Sequence, residues 1–198
     1  MNIGLMCGTF DPPHLGHLIL AQTAARQIPL DQVRFLPVGQ PPHKSGVTAA
    51  HHRVAMTTHA IADNPDFVLD TTDVERQPPH FTADLIPILR QKHPDATFWF
   101  IMGGDSLRTL YTWERAHVLI DMCRLAVLER PGELINWPSL EAKLPAVRDA
   151  VKLLSGLSMH ISSTQIRQDL HQDAPLRYVL PPAVRQYIEQ EKLYSSRQ

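Results

Sequence analysis

The chain has 198 residues, of which 43% are hydrophobic, and this size suits one globular domain with a substantial core. Its formal net charge of −1 excludes a global field that would attract nucleic acid or an anionic membrane, so we expect neither as a partner. The two cysteines, Cys7 and Cys123, are too far apart to indicate a disulfide framework or a metal-binding pair. With no targeting segment and no stretch near the ~18 apolar residues of a spanning helix, we expect a cytoplasmic protein with a single domain over residues 1–198.

Apolar runs and helix-forming stretches alternate along the chain. The strongest predicted strand is 97–102, which is continuously apolar, as is typical of a buried parallel strand. The predicted strands are 3–6, 32–38, 67–70, 97–102, 124–128 and 160–161. The predicted helices are 15–28, 49–62, 82–90 with Thr82 as N-cap, a short one after 103–106, 113–122, 138–154 with an interruption at Pro145, 162–170 and 181–191.

This alternation predicts the fold class. Strands separated by helices of ten or more residues favour an α/β fold with a Rossmann-like, doubly wound parallel sheet. Ligands of such sheets bind at the carboxyl ends of the strands, so the turns after residues 6, 38, 102, 128 and 161 should meet at one edge.

Residues 7–17, Cys-Gly-Thr-Phe-Asp-Pro-Pro-His-Leu-Gly-His, form a strand-to-helix turn in this prediction. Gly8 allows the backbone to approach a ligand, and His14 and His17 lie on one face of the first helical turn. Two imidazoles and free backbone N–H groups would then converge on an anion, and phosphate fits best. The alternatives are a turn with two surface histidines and, less favoured, a zinc site with Asp11, for which no further ligand is suitably spaced.

A second motif, Ile-Ser-Ser-Thr-Gln-Ile-Arg, occupies residues 161–167. Its hydroxyls could cap a helix whose free N–H groups face a phosphate, and Arg167 could bind phosphate oxygens in bidentate fashion. Taken alone, the motif favours a capped helix with a solvated arginine. The loop 39–46 resembles a Walker loop only superficially, because no glycine precedes Lys44.

Together the two motifs resemble the signatures of the nucleotidylyltransferase superfamily, Gly-x-Phe-x-Pro-x-His-x-Gly-His and Ile-Ser-Ser-Thr-x-Ile-Arg. Within it, the chain is most similar to the bacterial nicotinate-nucleotide adenylyltransferases. Matching segments follow in that family's order: 41–44, 80–82, 103–106, 112–113 and 130–132. Cys7 departs from the pattern, because the family usually has glycine there. Segment 133–157 matches no motif, and we assign it no role.

The resemblance implies an enzyme of NAD biosynthesis that joins nicotinate mononucleotide to the AMP part of ATP, giving nicotinate adenine dinucleotide and pyrophosphate. It implies that the catalytic residues are His17, His14 and Arg167. The ATP-binding residues would be Gly8, Thr9, Phe10, Gly103, Asp105, Ser163 and Thr164. The acceptor-binding residues would be His43, Lys44, Thr82, Trp113 and Arg130. Mg²⁺ would bind mainly through the ATP phosphates, without protein ligands of its own.

Three alternatives differ in what they bind or catalyse. A phosphopantetheine adenylyltransferase would share both signatures, but that family usually has threonine at position 14 and lysine at position 167. The second alternative is an enzyme that uses nicotinamide mononucleotide, or both mononucleotides, as the acceptor. The third alternative is a catalytically silent nucleotide-binding regulatory module, against which the presence of His14, His17 and Arg167 together argues. The sequence is compatible with a homo-oligomer and does not specify one.

Overall fold

The computed structural model describes residues 1–129, 132, 134–157, 159–172, 174 and 176–195. Six strands form one sheet in which each neighbouring pair is parallel. The strands are β1 (Asn2–Gly8), β2 (Gln32–Pro37), β3 (Phe67–Leu69), β4 (Thr97–Gly103), β5 (Arg124–Leu128) and β6 (Val151–Leu154). Their order, β3-β2-β1-β4-β5-β6, is that of a doubly wound Rossmann-type sheet, which confirms the predicted fold class.

Helices connect the strands and cover the sheet. They are α1 (Leu15–Gln27), α2 (Ala50–Ile61), α3 (Thr72–Glu75), α4 (Thr82–Lys92), α5 (Gly104–Thr109), α6 (Ala116–Met122), α7 (Trp137–Lys143), α8 (Val147–Ala150), α9 (Ser163–His171) and α10 (Pro182–Gln190), with a 3₁₀ turn at Leu110–Thr112. None of the helices in the described ranges is long and apolar enough to cross a membrane.

The core lies on both faces of the sheet. In β4, Phe98, Phe100 and Met102 belong to one apolar cluster together with the buried sides of α4 and α6. Ile101 belongs to a second cluster together with α1 and α2. Successive side chains of a strand point to opposite faces, so a strand covered on both sides must be apolar throughout. That requirement explains why 97–102 is the clearest strand in the sequence.

The sixth strand differs from the prediction. Residues 151–154, predicted as the end of an interrupted helix, form β6 beside β5, whereas residues 160–161 lie outside any strand. Leu154 is buried, but Lys152 and Leu153 are exposed, as expected for an edge strand. A four-residue segment that directly follows a helical pattern is too short for its periodicity to separate strand from helix.

Two helix starts and one short helix also differ from the prediction. The helix predicted from residue 113 begins at Ala116, because Arg115 has a left-handed backbone with φ of 48°. Phe81 occupies the N-cap of α4, so Thr82 is the first helical residue and not the cap. The one-turn helix α3 was not predicted at all.

The carboxyl ends of β1 and β4 lie side by side in the middle of the sheet. These strands are neighbours in space but not in sequence, and the chain winds outward from them in both directions. Such a switch point leaves a crevice between the two connections, which is where ligands of this architecture bind. The first motif leaves β1 at this point.

Candidate functional site

The turn after β1 is built around Phe10. Its side chain is 1% exposed, its φ is 51°, and its ring packs edge-to-face on His17 with centroids 5.1 Å apart. A Cβ at Gly8 would lie 2.9 Å from a carbon of the Phe10 ring, so a larger residue would displace that ring. The structure therefore gives Gly8 a packing reason in addition to the predicted approach to a ligand.

His14 and His17 form a stacked pair at the start of α1. Their ring centroids are 3.7 Å apart, and the backbone N–H of His14 donates to Nδ1 of His17 over 3.2 Å. Because Nδ1 of His17 accepts, the proton of the neutral ring is on Nε2. Nδ1 of His14 is buried without a hydrogen-bond partner, and a Cβ at Gly16 would lie 3.0 Å from it. Glycine at this position therefore allows the two imidazoles to stack.

Burial keeps both imidazoles neutral near pH 7. It lowers the pKa of His14 to about 4. Burial, followed by repulsion from His14 when it is protonated and from Lys44, lowers the pKa of His17 well below its usual value. In the absence of an anion, the pair is therefore a set of neutral hydrogen-bond donors and acceptors.

The second motif docks on the first. Nη1 of Arg167 donates to the carbonyl oxygen of Asp11 over 2.7 Å, and the hydroxyl of Ser163 donates to that of Pro12 over 2.9 Å. The prediction that the hydroxyls of residues 162–164 cap α9 is wrong. Ser162 occupies the N-cap, but its side chain makes no cap hydrogen bond. The Ser163 hydroxyl instead joins α9 to the first turn, which brings the two motifs together.

A cavity of about 620 Å³ lies between the two motifs. The predicted site residues in its wall are Thr9, Phe10, His14, His17, Lys44, Asp105, Ser163, Thr164 and Arg167. All three predicted catalytic residues thus face one space. Lys44, predicted for the acceptor, lies here among the predicted ATP residues, and its Nζ donates to the Thr9 hydroxyl over 3.1 Å.

A second cavity of about 280 Å³ adjoins the first and shares His14, His17 and Asp105 with it. Gly103 and Trp113 also line it, with the Trp113 ring edge-on to Phe100 at 6.0 Å. The site therefore has two connected compartments that meet at the histidine pair.

Three predicted residues lie apart from these cavities. His43 and Thr82 are outside both linings. His43 lies on the loop before α2, and its ring is 6.4 Å from that of Phe81. Gly8 is also outside them, beneath Phe10. Arg130 lies outside the described residues.

Arg53, a 1%-exposed arginine in α2, supports the site but is not among the predicted residues. Its guanidinium donates to four carbonyl oxygens, those of Thr9, Val38, Gly39 and Thr48, over 2.6–2.9 Å. It thereby fixes the first turn to the loop after β2. A charged residue on the apolar side of a predicted helix was the available signal.

A second missed network supports the segment before α4. The carboxylate of Asp73 accepts from the N–H of Gly39 and from Nε of Arg76. His80 accepts from the N–H of Gln40 at Nδ1 and lies 3.1 Å from the carbonyl oxygen of Arg76 at Nε2. The hydrogen bonds of Asp73 and His80 therefore fix the loop after β2 to the segment leading to Phe81.

Within the described ranges, no three His, Cys, Asp or Glu side chains are arranged to hold a metal ion. Both oxygens of the Asp11 carboxylate already accept hydrogen bonds, from the N–H of Thr48 and from the hydroxyl of Tyr194. A divalent ion in this cavity would therefore need ligands from a bound nucleotide and water.

Comparison with known proteins agrees with this geometry. The Cytidylyltransferase-like family model matches residues 5–169. A probable nicotinate-nucleotide adenylyltransferase of Herpetosiphon aurantiacus is 42% identical over 194 residues, which is 98% of each chain. One from Exiguobacterium sibiricum is 40% identical over 197 residues, covering 99% of this chain and 100% of its own.

A solved structure with the same fold is the Plasmodium falciparum nicotinic acid mononucleotide adenylyltransferase complexed with NaAD. It superimposes with a TM-score of 0.80 at 23% identity, covering 98% of this chain and 97% of that one. At this identity the likeness establishes the fold alone. The family match and the full-length relatives go further: this chain belongs to the Cytidylyltransferase-like family and, within it, to the nicotinate-nucleotide adenylyltransferases.

Proposed function

We propose that this protein transfers the adenylyl group of ATP to nicotinate mononucleotide and releases pyrophosphate. The observation that supports this most directly is the convergence of His14, His17 and Arg167 on one cavity at the switch point of the sheet. The full-length relatives carry the corresponding name. In the reaction, a phosphate oxygen of the acceptor bonds to the α-phosphorus while the bond from that phosphorus to the β-phosphate oxygen breaks.

Positioning and charge stabilisation account for catalysis without a covalent intermediate. The neutral His17 ring has its proton on Nε2 and can donate it to an α-phosphate oxygen as negative charge rearranges. His14, stacked on His17 with a free Nδ1, is the second group for that phosphate. A bound anion favours the protonated form of both rings, which strengthens these hydrogen bonds.

Arg167, Ser163 and Thr164 are our candidates for the β- and γ-phosphates. A guanidinium has five N–H donors, and the Asp11 carbonyl uses one of those of Arg167. The first amides of α9 are unpaired within the helix and favour an anion. The bond from Ser163 to Pro12 fixes this helix end relative to the histidines.

We assign adenosine to Gly103 and Asp105 and further nucleotide contacts to the backbone of Gly8, Thr9 and Phe10. Gly103 ends β4, and a Cβ there would lie 2.6 Å from Oδ1 of Asp105, so a larger residue would displace that carboxylate. Members of the family generally use a divalent metal with ATP. We propose Mg²⁺, bound mainly to phosphate oxygens and water as part of the nucleotide substrate.

For the acceptor, we propose that Trp113 stacks on the pyridine ring while amides near Thr82 receive its carboxylate. The networks around Arg53 and Asp73 join the segment before Thr82 to the nucleotide turn. His43, Lys44 and Arg130 are our candidates for the acceptor phosphate. Lys44 is also a candidate for the triphosphate, because it lines the larger cavity together with Arg167.

The test is pyrophosphate release from ATP with nicotinate mononucleotide, nicotinamide mononucleotide or phosphopantetheine as acceptor. Turnover fastest with nicotinate mononucleotide supports the proposal. Turnover fastest with phosphopantetheine or with nicotinamide mononucleotide, or none with any acceptor despite ATP binding, replaces it by the corresponding one of the three alternatives considered above. We further propose that residues 1–198 act as one cytoplasmic domain.

A further inference from the structure

Tyr194, near the carboxyl end of the described chain, reaches the wall of the larger cavity. Its hydroxyl donates a 2.5 Å hydrogen bond to Oδ1 of Asp11, and its oxygen lies 3.9 Å from the sulfur of Met56. The two partners of the short bond are 183 positions apart in the sequence. The segment after α10 is thereby tied to the turn that forms the nucleotide site.

Asp11 joins three parts of this site. Its side chain is 4% exposed, and its Oδ2 accepts from the backbone N–H of Thr48 over 3.2 Å. Its carbonyl oxygen accepts from Arg167. Asp11 also lines the cavity that we assign to ATP. Whatever controls the Asp11 carboxylate therefore controls a negative charge beside the phosphates.

A carboxylate in the wall of a phosphate site opposes anion binding unless its charge is offset. Lys44 lines the same cavity as Asp11, so its ammonium and the Asp11 carboxylate face one space. A carboxylate oxygen that lost its donor would attract this ammonium and compete for it with the triphosphate.

The hydroxyl of Tyr194 is suited to prevent this competition. Burial, followed by the hydrogen bond to Asp11, raises the pKa of Tyr194, so the phenol keeps its proton and continues to donate at all ordinary pH values. With Tyr194 and Thr48 as donors, both carboxylate oxygens are occupied.

We propose that Tyr194 is a positioning residue for nucleotide binding: by donating to Asp11 it occupies a buried carboxylate, so that Lys44 remains available to the triphosphate. The inference rests on the proposed function only in taking ATP as the ligand of the larger cavity. Tyr194 acts through Asp11 and has no role in the chemical step.

The test is Tyr194→Phe, which removes one hydroxyl and keeps the ring. A non-hydrolysable ATP analogue is titrated by calorimetry without acceptor, and the expected result is a roughly tenfold rise in Kd, as for an under-satisfied buried charge. Tyr187→Phe is the control, because it removes a hydroxyl that makes a side-chain hydrogen bond, to His52 at 2.9 Å, outside the cavity lining. Its Kd should equal that of the wild type.

The same titration with Asp11→Asn and with the double variant separates positioning from general stability. Without the carboxylate charge, Tyr194→Phe should change the Kd by less than about twofold, because coupled residues are non-additive. Equal losses in the two backgrounds, or a Tyr194→Phe variant that binds like Tyr187→Phe, would overturn the inference. If Tyr194→Phe alone does not fold, the Kd and the melting temperature of the double variant are compared with those of Asp11→Asn. A Kd more than about twofold higher in the double variant would then overturn the inference.

Steady-state kinetics give a second readout. The KM for ATP should rise in Tyr194→Phe while kcat stays within about threefold. A loss confined to kcat would contradict a positioning role. Because the titration needs no acceptor, its outcome is independent of whether nicotinate mononucleotide is the true second substrate.

Discussion

Replacing His17 by alanine removes the Nε2–H that we assign to the α-phosphate. Loss of one preorganised donor to a developing charge costs about 2.7–4 kcal/mol, which corresponds to a fall in kcat of roughly 10²–10³. The stacking of His14 at 3.7 Å and the acceptor for the His14 N–H disappear as well, so some loss of stability accompanies the substitution.

The assay measures kcat at saturating ATP and nicotinate mononucleotide, together with the affinity for a non-hydrolysable ATP analogue. We expect the affinity to change much less than kcat, because Arg167 and the amides of α9 are untouched. His117→Ala, an exposed histidine on α6, is the control and should behave as the wild type. If His17→Ala retains more than about a third of the wild-type kcat, His17 has no part in the mechanism.

Three further predictions follow from the site. Arg167→Lys should raise the KM for ATP and lower kcat, each by about tenfold or more, since an ammonium cannot replace a planar fork; unchanged steady-state kinetics would make Arg167 a surface residue. The kcat/KM for nicotinate mononucleotide should exceed that for nicotinamide mononucleotide at least about a hundredfold, or ~2.7 kcal/mol. The reason is that backbone donors near Thr82 satisfy a carboxylate but not an amide NH₂, and equal values would refute this specificity. Because the pKa of His14 falls from 6.5 to about 4 on folding, the unfolded state binds the extra proton below pH 6.5, and His14 alone should lower stability by about 2 kcal/mol from pH 7 to pH 5; urea titrations should show a smaller drop for His14→Gln.

Much of the fold could be predicted because its main strands are buried on both faces. β4 is apolar at successive positions because helices cover both sides of the sheet, and its sequence is the clearest strand signal in the chain. β6 is a four-residue edge strand with an exposed Leu153, so its sequence lacks that pattern. Its position is determined by pairing with β5, which is a tertiary effect.

The convergence of the two motifs was predictable for a different reason. The carboxyl ends of parallel strands share one edge, so motifs that follow strands must meet there. The supporting contacts were not predictable in the same way. Nothing local to Arg53 indicates that it holds four carbonyls, and Tyr194 meets Asp11 only because α10 packs beside α2.

The docking of Arg167 and Ser163 on the first turn has a consequence for synthesis of the chain. These contacts join residues 156 and 151 positions apart, so the histidine pair leaves the ribosome long before its cationic partner exists. At about 5–20 residues per second, the interval is roughly 8–30 s. The proposed phosphate site is therefore complete only once α9 has been synthesised, and a nascent chain that stops before α9 should bind ATP more weakly than one that includes it.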